Sequence, residues 1–216
     1  MDIICENFIV FEGLDGCGKT TQQHLLAADL KAKGYKVFET SEPTDSEIGI
    51  LIRRVLKGEV EVQPETLALL YVADRNEHLY GENGIWSHLQ KGEIVICGRY
   101  FYSSIAYQGV EVNENYVKSI NSFPHSGKII YLDLPVRQCL KRIELRGEEN
   151  EYFEKLDYLN IVQKRFKNYF KQLPEGVKLL KVKANDTVTN INKQICDFVF
   201  KDIKRIDDNE NKILTV

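Results

Sequence analysis

The sequence predicts an α/β fold: a parallel five-stranded sheet flanked by helices on both faces, with a small lid. Three observations carry this. Short apolar runs alternate with stretches of helical periodicity, the order of βαβ units. A glycine-rich loop joins the first apolar run to the first helical stretch. Prolines and a glycine stand where helices should start and stop.

In chain order, residues 8–11 read as the first strand. Residues 19–33 repeat apolar positions at helical spacing and stop at Gly34, a C-terminal cap. Residues 36–40 give the second strand. Pro64 sits in the first turn of a helix continued by 65–80. Residues 94–97 form the third strand and 128–134 the fourth. Pro135 opens a helix over 136–146, and 151–173 reads as a long helix ended by Pro174. Residues 177–182 give the fifth strand, and 187–204 the closing helix. The lid falls at about 146–155, and 206–216 reads as a frayed polar tail without function. No linker of loop composition divides the chain, so residues 1–216 are expected to form one domain.

The chain has 216 residues, enough for one full α/β core. A net charge of −3 gives no electrostatic footprint for duplex DNA or an anionic membrane. Nucleic-acid and membrane partners are therefore not expected, and any anion must be held by a local cluster of donors. No apolar run reaches the ~18 residues of a membrane span. The start, MDIICENFIVFEG, lacks a basic region and a cleavage site, so no signal peptide is expected. The five cysteines are scattered and form no CxxC pair, which suits free thiols in a reducing cytoplasm.

Gly13-Leu14-Asp15-Gly16-Cys17-Gly18-Lys19-Thr20 matches GxxxxGK[ST] at every fixed position, between a strand and a helix. The fold is therefore read as that of a P-loop NTPase. The glycines let successive N–H groups converge on one centre, and the helix N-terminus adds partial positive charge for phosphates. Lys19 reaches the β- and γ-phosphates as a point charge. The Thr20 hydroxyl is placed to ligate Mg²⁺, and Thr21 beside it completes the ATP-binding set. Cys17, near a helix N-terminus and Lys19, is expected to be a reactive thiol protected by ATP, or else a small inert filler.

The loop alone does not separate kinase, GTPase and ATPase. A kinase must hold an acceptor as well as a donor. Arg75 in YVADRNEH and Arg99 in GRY offer forks for a second phosphate. Arg99 follows a strand, at the sheet edge where ligands bind. No NKxD-type guanine reader is present.

The segments FIVFEGLDGCGKTTQ, ETSEPTDSEIG, LLYVADRNEH, GRYFYSSIAYQG and IYLDLPVRQCLKRIELRGE, in that order, resemble the thymidylate kinase family over roughly residues 7–202. The resemblance implies transfer of the ATP γ-phosphate to dTMP with Mg²⁺, in a cytoplasmic homodimer packed through the helix 64–80. It also implies roles. Asp15 would accept the deoxyribose 3′-hydroxyl, and Tyr71 would stack on thymine. Arg75 would reach the base edge or the monophosphate, and Arg99 would hold the acceptor phosphate in line. Ser104 and Gln108 would lie at the base edge. Tyr107 would crowd the 2′ position. Pro43 would shape the pocket wall, and Arg53 would add a phosphate donor. Arg142 would flank adenine opposite Ala184-Asn185-Asp186.

Three departures from the family pattern stand out. Gly98 replaces the usual aspartate before Arg99, Ser41 replaces the usual arginine before Glu42-Pro43, and neither phosphate loop nor lid carries the usual arginine. Arg146 is the nearest substitute. With Gly98, support for the Mg²⁺ water shell is expected from Asp133, with Glu12 as a further candidate. Asp133 could instead only cap the helix opened by Pro135. Another nucleoside monophosphate kinase, a deoxynucleoside kinase and a catalytically weak nucleotide-binding paralogue remain as alternatives.

Overall fold

The structure is a computed structural model that describes residues 3–145 and 152–202. Five strands, β1 (Ile4–Glu12), β2 (Val37–Ser41), β3 (Ile94–Gly98), β4 (His125–Asp133) and β5 (Lys178–Lys183), form one sheet in the order β2-β3-β1-β4-β5. All of its pairings are parallel. The helices are α1 (Lys19–Ala32), α2 (Glu47–Leu56), α3 (Pro64–Tyr80), α4 (Ile85–Gln90), α5 (Phe101–Tyr107), α6 (Glu114–Ile120), α7 (Val136–Glu144), α8 (Tyr152–Tyr169) and α9 (Val188–Phe200).

The burial of the strands shows why the sheet must be covered on both faces. Successive strand residues point to opposite sides. Phe8, Ile9, Val10 and Phe11 are all at most 1% exposed, as are Ile129 to Leu132. Helices therefore pack on either side, as parallel sheets require. β1 lies at the centre, and the chain builds β2 and β3 on one flank before β4 and β5 on the other. That reversal opens a crevice at the C-terminal end of β1, where the phosphate loop sits.

The strands come out close to the predicted positions, with extensions. β4 starts at His125 rather than 128, because the added residues include buried polar ones, His125 and Ser126, which carry no apolar signal. α8 stops at Tyr169 and tightens into a 3₁₀ turn over Phe170–Gln172. α9 ends at Phe200, not 204. α2, α4, α5 and α6 are helices that the sequence reading left unassigned. Residues 146–151 of the expected lid, with Arg146, and the tail 206–216 lie outside the described residues, and 152–155 belong to α8.

Candidate active site

The phosphate loop turns tightly between β1 and α1. Gly13 and Gly16 take φ of 139° and 78°. A Cβ on Gly13 would stand 2.8 Å from the Leu132 carbonyl oxygen, and one on Gly16 would stand 2.6 Å from that of Cys139. Both positions thus require glycine on backbone and steric grounds. Gly18, with φ of 103°, starts α1 without a side-chain cap, leaving that N-terminus to a ligand. Lys19 Nζ lies over the loop, donating to the carbonyls of Gly13 and Leu14 at 2.8 Å each. Thr20 and Thr21 are exposed on the first turn. Leu14 and Cys17 are packed into the core, at 1% and 2% exposure. Of the two expectations for Cys17, its burial fits the inert filler rather than the reactive thiol: it fills space beneath Gly13.

Beside the loop opens a cavity of about 260 Å³. Asp15, Pro43, Tyr71, Arg75, Arg99, Ser104, Tyr107 and Gln108 all line it. They come from the phosphate loop, the segment after β2, α3, the end of β3, and α5 with the turn that follows it. Arg99 Nη2 donates to Asp15 Oδ1 at 2.5 Å, and Nη1 donates to Ser103 Oγ at 3.1 Å. Its guanidinium also lies 5.1 Å from the Tyr107 ring centroid. Burial pushes the Tyr71 hydroxyl up to about 12 and raises that of Tyr107 further, so both phenols are neutral. The Tyr107 hydroxyl is buried and faces the Arg99 guanidinium.

Arg75 is 1% exposed. It donates to Glu42 Oε2 from Nε at 2.9 Å and Nη2 at 2.6 Å, to Asn121 Oδ1 at 2.5 Å and to Ser104 Oγ at 3.1 Å. It is a fixed cation in the cavity wall, not a swinging arm. Arg53 does not line the cavity. Its guanidinium donates to the backbone carbonyls of Pro43, at 2.6 Å, and Thr44, and pairs with Asp45 at 3.1 Å. It therefore stiffens the segment between β2 and α2.

On the donor side, Arg142 reaches the carbonyls of Gly16 at 3.4 Å and Ala184 at 3.5 Å. It thereby brings the phosphate loop together with the turn at Ala184-Asn185-Asp186.

The expectation about Asp133 changes. Asp133 is committed to α8 and β5: it accepts from Gln163 at 3.1 Å and pairs with Lys167 at 3.1 Å and Lys181 at 3.0 Å. It ties elements together, and neither the magnesium role nor the helix-cap role describes those contacts. At Gly98, which stands where the family has an aspartate, a Cβ would stand 2.7 Å from Gln23 Oε1, so the packing there is built around the missing side chain. Gln23 donates from the same amide to the Thr40 carbonyl at 2.8 Å. Glu12, fully buried at the end of β1, faces Lys19 and Arg99 electrostatically, as Asp15 also faces Arg99.

Several residues that build the site escaped the sequence reading. Glu42 carries Arg75 and also meets His78 Nδ1 at 3.2 Å. Asp74 holds the segment after β2 by accepting from the Thr44 N–H at 2.8 Å and Ser46 Oγ at 3.0 Å. Tyr158 on α8 lines the cavity. Asp74 stands next to Arg75 in sequence, and Glu42 next to Pro43. Their adjacency to chosen residues was the one signal available, since their partners lie about 30 residues away or more.

A family model described as "Thymidylate kinase" matches residues 11–195. The "Probable thymidylate kinase" of Pyrococcus horikoshii is 43% identical over 199 residues, covering 89% of this chain and 95% of that protein. That of Methanocaldococcus jannaschii is 45% identical over 161 residues, covering 74% and 79%. That of Thermococcus onnurineus is 40% identical over 203 residues, covering 89% and 96%.

Proposed function

The chain belongs to the thymidylate kinase family, and we propose that it transfers the γ-phosphate of ATP to dTMP, giving dTDP for dTTP synthesis. It is an ATP-dependent phosphotransferase. The observation that carries the acceptor reading is the cavity beside the phosphate loop, with Arg99 and Asp15 paired at their junction. Phosphoryl transfer asks for positioning and charge neutralisation more than for covalent chemistry. In this reading the loop N–H groups and Lys19 hold the donor phosphates, with Arg142 at the adenine. Arg99 presents its guanidinium to the acceptor phosphate. Asp15 orients the sugar, while Tyr71, Ser104 and Gln108 bound the base. Tyr107 closes the 2′ side.

Mg²⁺ fits the donors present. Thr20 offers one hydroxyl at the start of α1, and no group of three His, Cys, Asp or Glu stands together among the described residues. An ion that keeps waters and takes phosphate oxygens needs no such cage. Bound with ATP, it would neutralise charge on the phosphates. All five cysteines are free, which supports a reducing, cytoplasmic setting. No described helix is long and apolar enough to cross a membrane. Apolar side chains exposed along α3 support a homodimer.

Coupled ADP release with dTMP, dUMP, ribo-TMP and thymidine tests the reading. dTMP should be the best acceptor, ahead of dUMP by about 1–3 kcal/mol, the scale a methyl group sets in an apolar pocket. Faster turnover of thymidine would replace this reading with a deoxynucleoside kinase.

A further inference from the structure

The Glu12 carboxylate lies between the phosphate loop and the acceptor helix. It is the last residue of β1, directly before Gly13, and is fully buried. Oε1 accepts from the Tyr100 N–H at 2.9 Å and the Ser103 N–H at 3.2 Å, and Oε2 accepts from the Ser103 hydroxyl at 2.6 Å. That hydroxyl in turn accepts from Arg99 Nη1 at 3.1 Å, and Arg99 Nη2 donates to Asp15 at 2.5 Å. The contacts form a closed chain: strand end, α5, arginine, phosphate loop. The backbone is tied at the same place, since the Arg99 N–H donates to the Phe11 carbonyl at 2.9 Å.

With the Glu12 carboxyl ionised, each member is satisfied in one arrangement. A serine hydroxyl has one proton. Given to Glu12, it leaves the oxygen lone pairs to accept from Arg99. α5 has no side-chain cap of its own at Tyr100, so Glu12 also supplies an acceptor at its start, for the N–H groups of Tyr100 and Ser103. α5 carries Ser104 into the acceptor cavity.

We propose that Glu12 is a positioning residue for phosphoryl transfer, fixing the Arg99 guanidinium relative to the phosphate loop through the Ser103 hydroxyl. This rests on the reading that Arg99 engages the transferring groups. A carboxylate that merely capped α5 would stabilise the fold without setting where Arg99 points, and the two roles are separable.

The test is a double-mutant cycle of Ser103→Ala and Arg99→Ala, with Glu12→Gln as a second entrance to the same link. Kinetics with dTMP and ATP are measured alongside thermal melting. Ser103→Ala leaves both backbone donors on Glu12 and removes only the hydroxyl bridge. It should lower kcat by about tenfold or more, the scale of a small misplacement of a reacting group, and leave KM for ATP unchanged. In the Arg99→Ala background the same change should cost less than about twofold, because the two residues act as one unit. Restoring the hydroxyl as Ser103→Thr should recover most of the rate. A full additional loss in the Arg99→Ala background overturns the proposal, as does a Ser103→Ala enzyme of unchanged kcat and lowered melting temperature. In both of those outcomes wild-type activity on dTMP leaves the proposed function standing. A wild type inactive on dTMP overturns both. Should Glu12→Gln fail to fold, the Ser103 arms decide alone.

Discussion

Arg99 reaches its place by a backbone route few residues other than glycine take. Its φ is 71°, in the left-handed region. That conformation ends β3 and turns the side chain across the strand ends towards Asp15 rather than along the strand. A non-glycine residue there is held by its surroundings: an N–H bond to Phe11, the Ser103 and Asp15 contacts, and the Tyr107 ring. Arg99→Ala should therefore lower kcat/KM for dTMP by about 10²-fold, the scale of losing one preorganised charged donor. ATP binding, read by calorimetry, should change little; an unaltered turnover would remove Arg99 from the reaction. The neighbouring Gly98 obeys steric rather than conformational logic. Installing the family's aspartate there brings Cβ within 2.7 Å of Gln23 Oε1 and 3.3 Å of Ser41 Cβ. Gln23 cannot move without giving up its bond to the Thr40 carbonyl. Gly98→Asp should destabilise the fold by about 1–3 kcal/mol, the cost of a displaced buried polar group. Adding Gln23→Ala should recover part of that loss, and strictly additive melting shifts would show that the two positions do not compete.

At the scale of elements, what was legible depended on whether a signal was local. The phosphate loop, α1 with Gly34 behind it, and α3 and α7 behind their prolines announce themselves in consecutive residues. α5 does not. Phe101 to Ala106 are all buried, so no polar face marks a helical period, and the Tyr100 and Ser103 N–H groups at its start are met by Glu12, from a strand about ninety residues earlier. A seven-residue helix whose cap comes from another element is silent in sequence. α2 and α6 did carry local signals, in Ser46 and Asn113, whose side chains accept from N–H groups of their first turns. The candidate site divides the same way. Residues on the glycine loop and the paired arginines could be found, but Glu42, Asp74 and Ser103 act through partners that only the fold brings near. Glu12 gives this arrangement a measurable pH signature. Burial, partly offset by the Ser103 hydroxyl, Arg99, the Tyr100 N–H and Lys19, pushes its carboxyl from 4.5 up to about 7. The native state then holds a proton that the unfolded chain has released, so this group's stability contribution is present below 4.5 and is lost as pH rises through 7. The loss amounts to about 3 kcal/mol when the shift is converted at 1.36 kcal/mol per unit. Glu12→Gln cannot titrate. Its stability relative to wild type, from urea unfolding at pH 4.5 and pH 8, should improve with pH by an amount of that order. A constant difference across the range would mean that Glu12 keeps its charge throughout.

For the whole molecule, α3 links the cavity to the outer surface. Its inward side buries Ala68, Asp74, Arg75 and Leu79, and it brings Tyr71 into the cavity. Its outward side places Leu69, Ala73, Asn76 and Tyr80 in one exposed row, at the four- and three-residue steps of a helix face. Leu69 and Tyr80 are 46% and 51% exposed, and Trp86 of α4 lies 6.3 Å from the Tyr80 ring. An exposed row in which Leu69, Ala73 and Tyr80 flank one polar residue, Asn76, is what a two-fold partner would cover, and in such an interface every residue counts twice. Leu69→Glu together with Tyr80→Glu places four carboxylates in the proposed contact. The loss should be large enough to turn a dimer into a monomer at micromolar concentration, because buried unpaired charge costs several kcal/mol. Sedimentation velocity reads the state directly. The kinetic consequence follows from the inward side of the same helix. If the partner steadies α3, the monomer should show a raised KM for dTMP through Tyr71 and Arg75, while KM for ATP, set by the phosphate loop on β1 and α1, stays as it was. A wild type that sediments as a monomer would remove the dimer from the proposal. A monomeric variant with both KM values unchanged would leave the dimer standing but free α3 of any part in coupling it to the acceptor site.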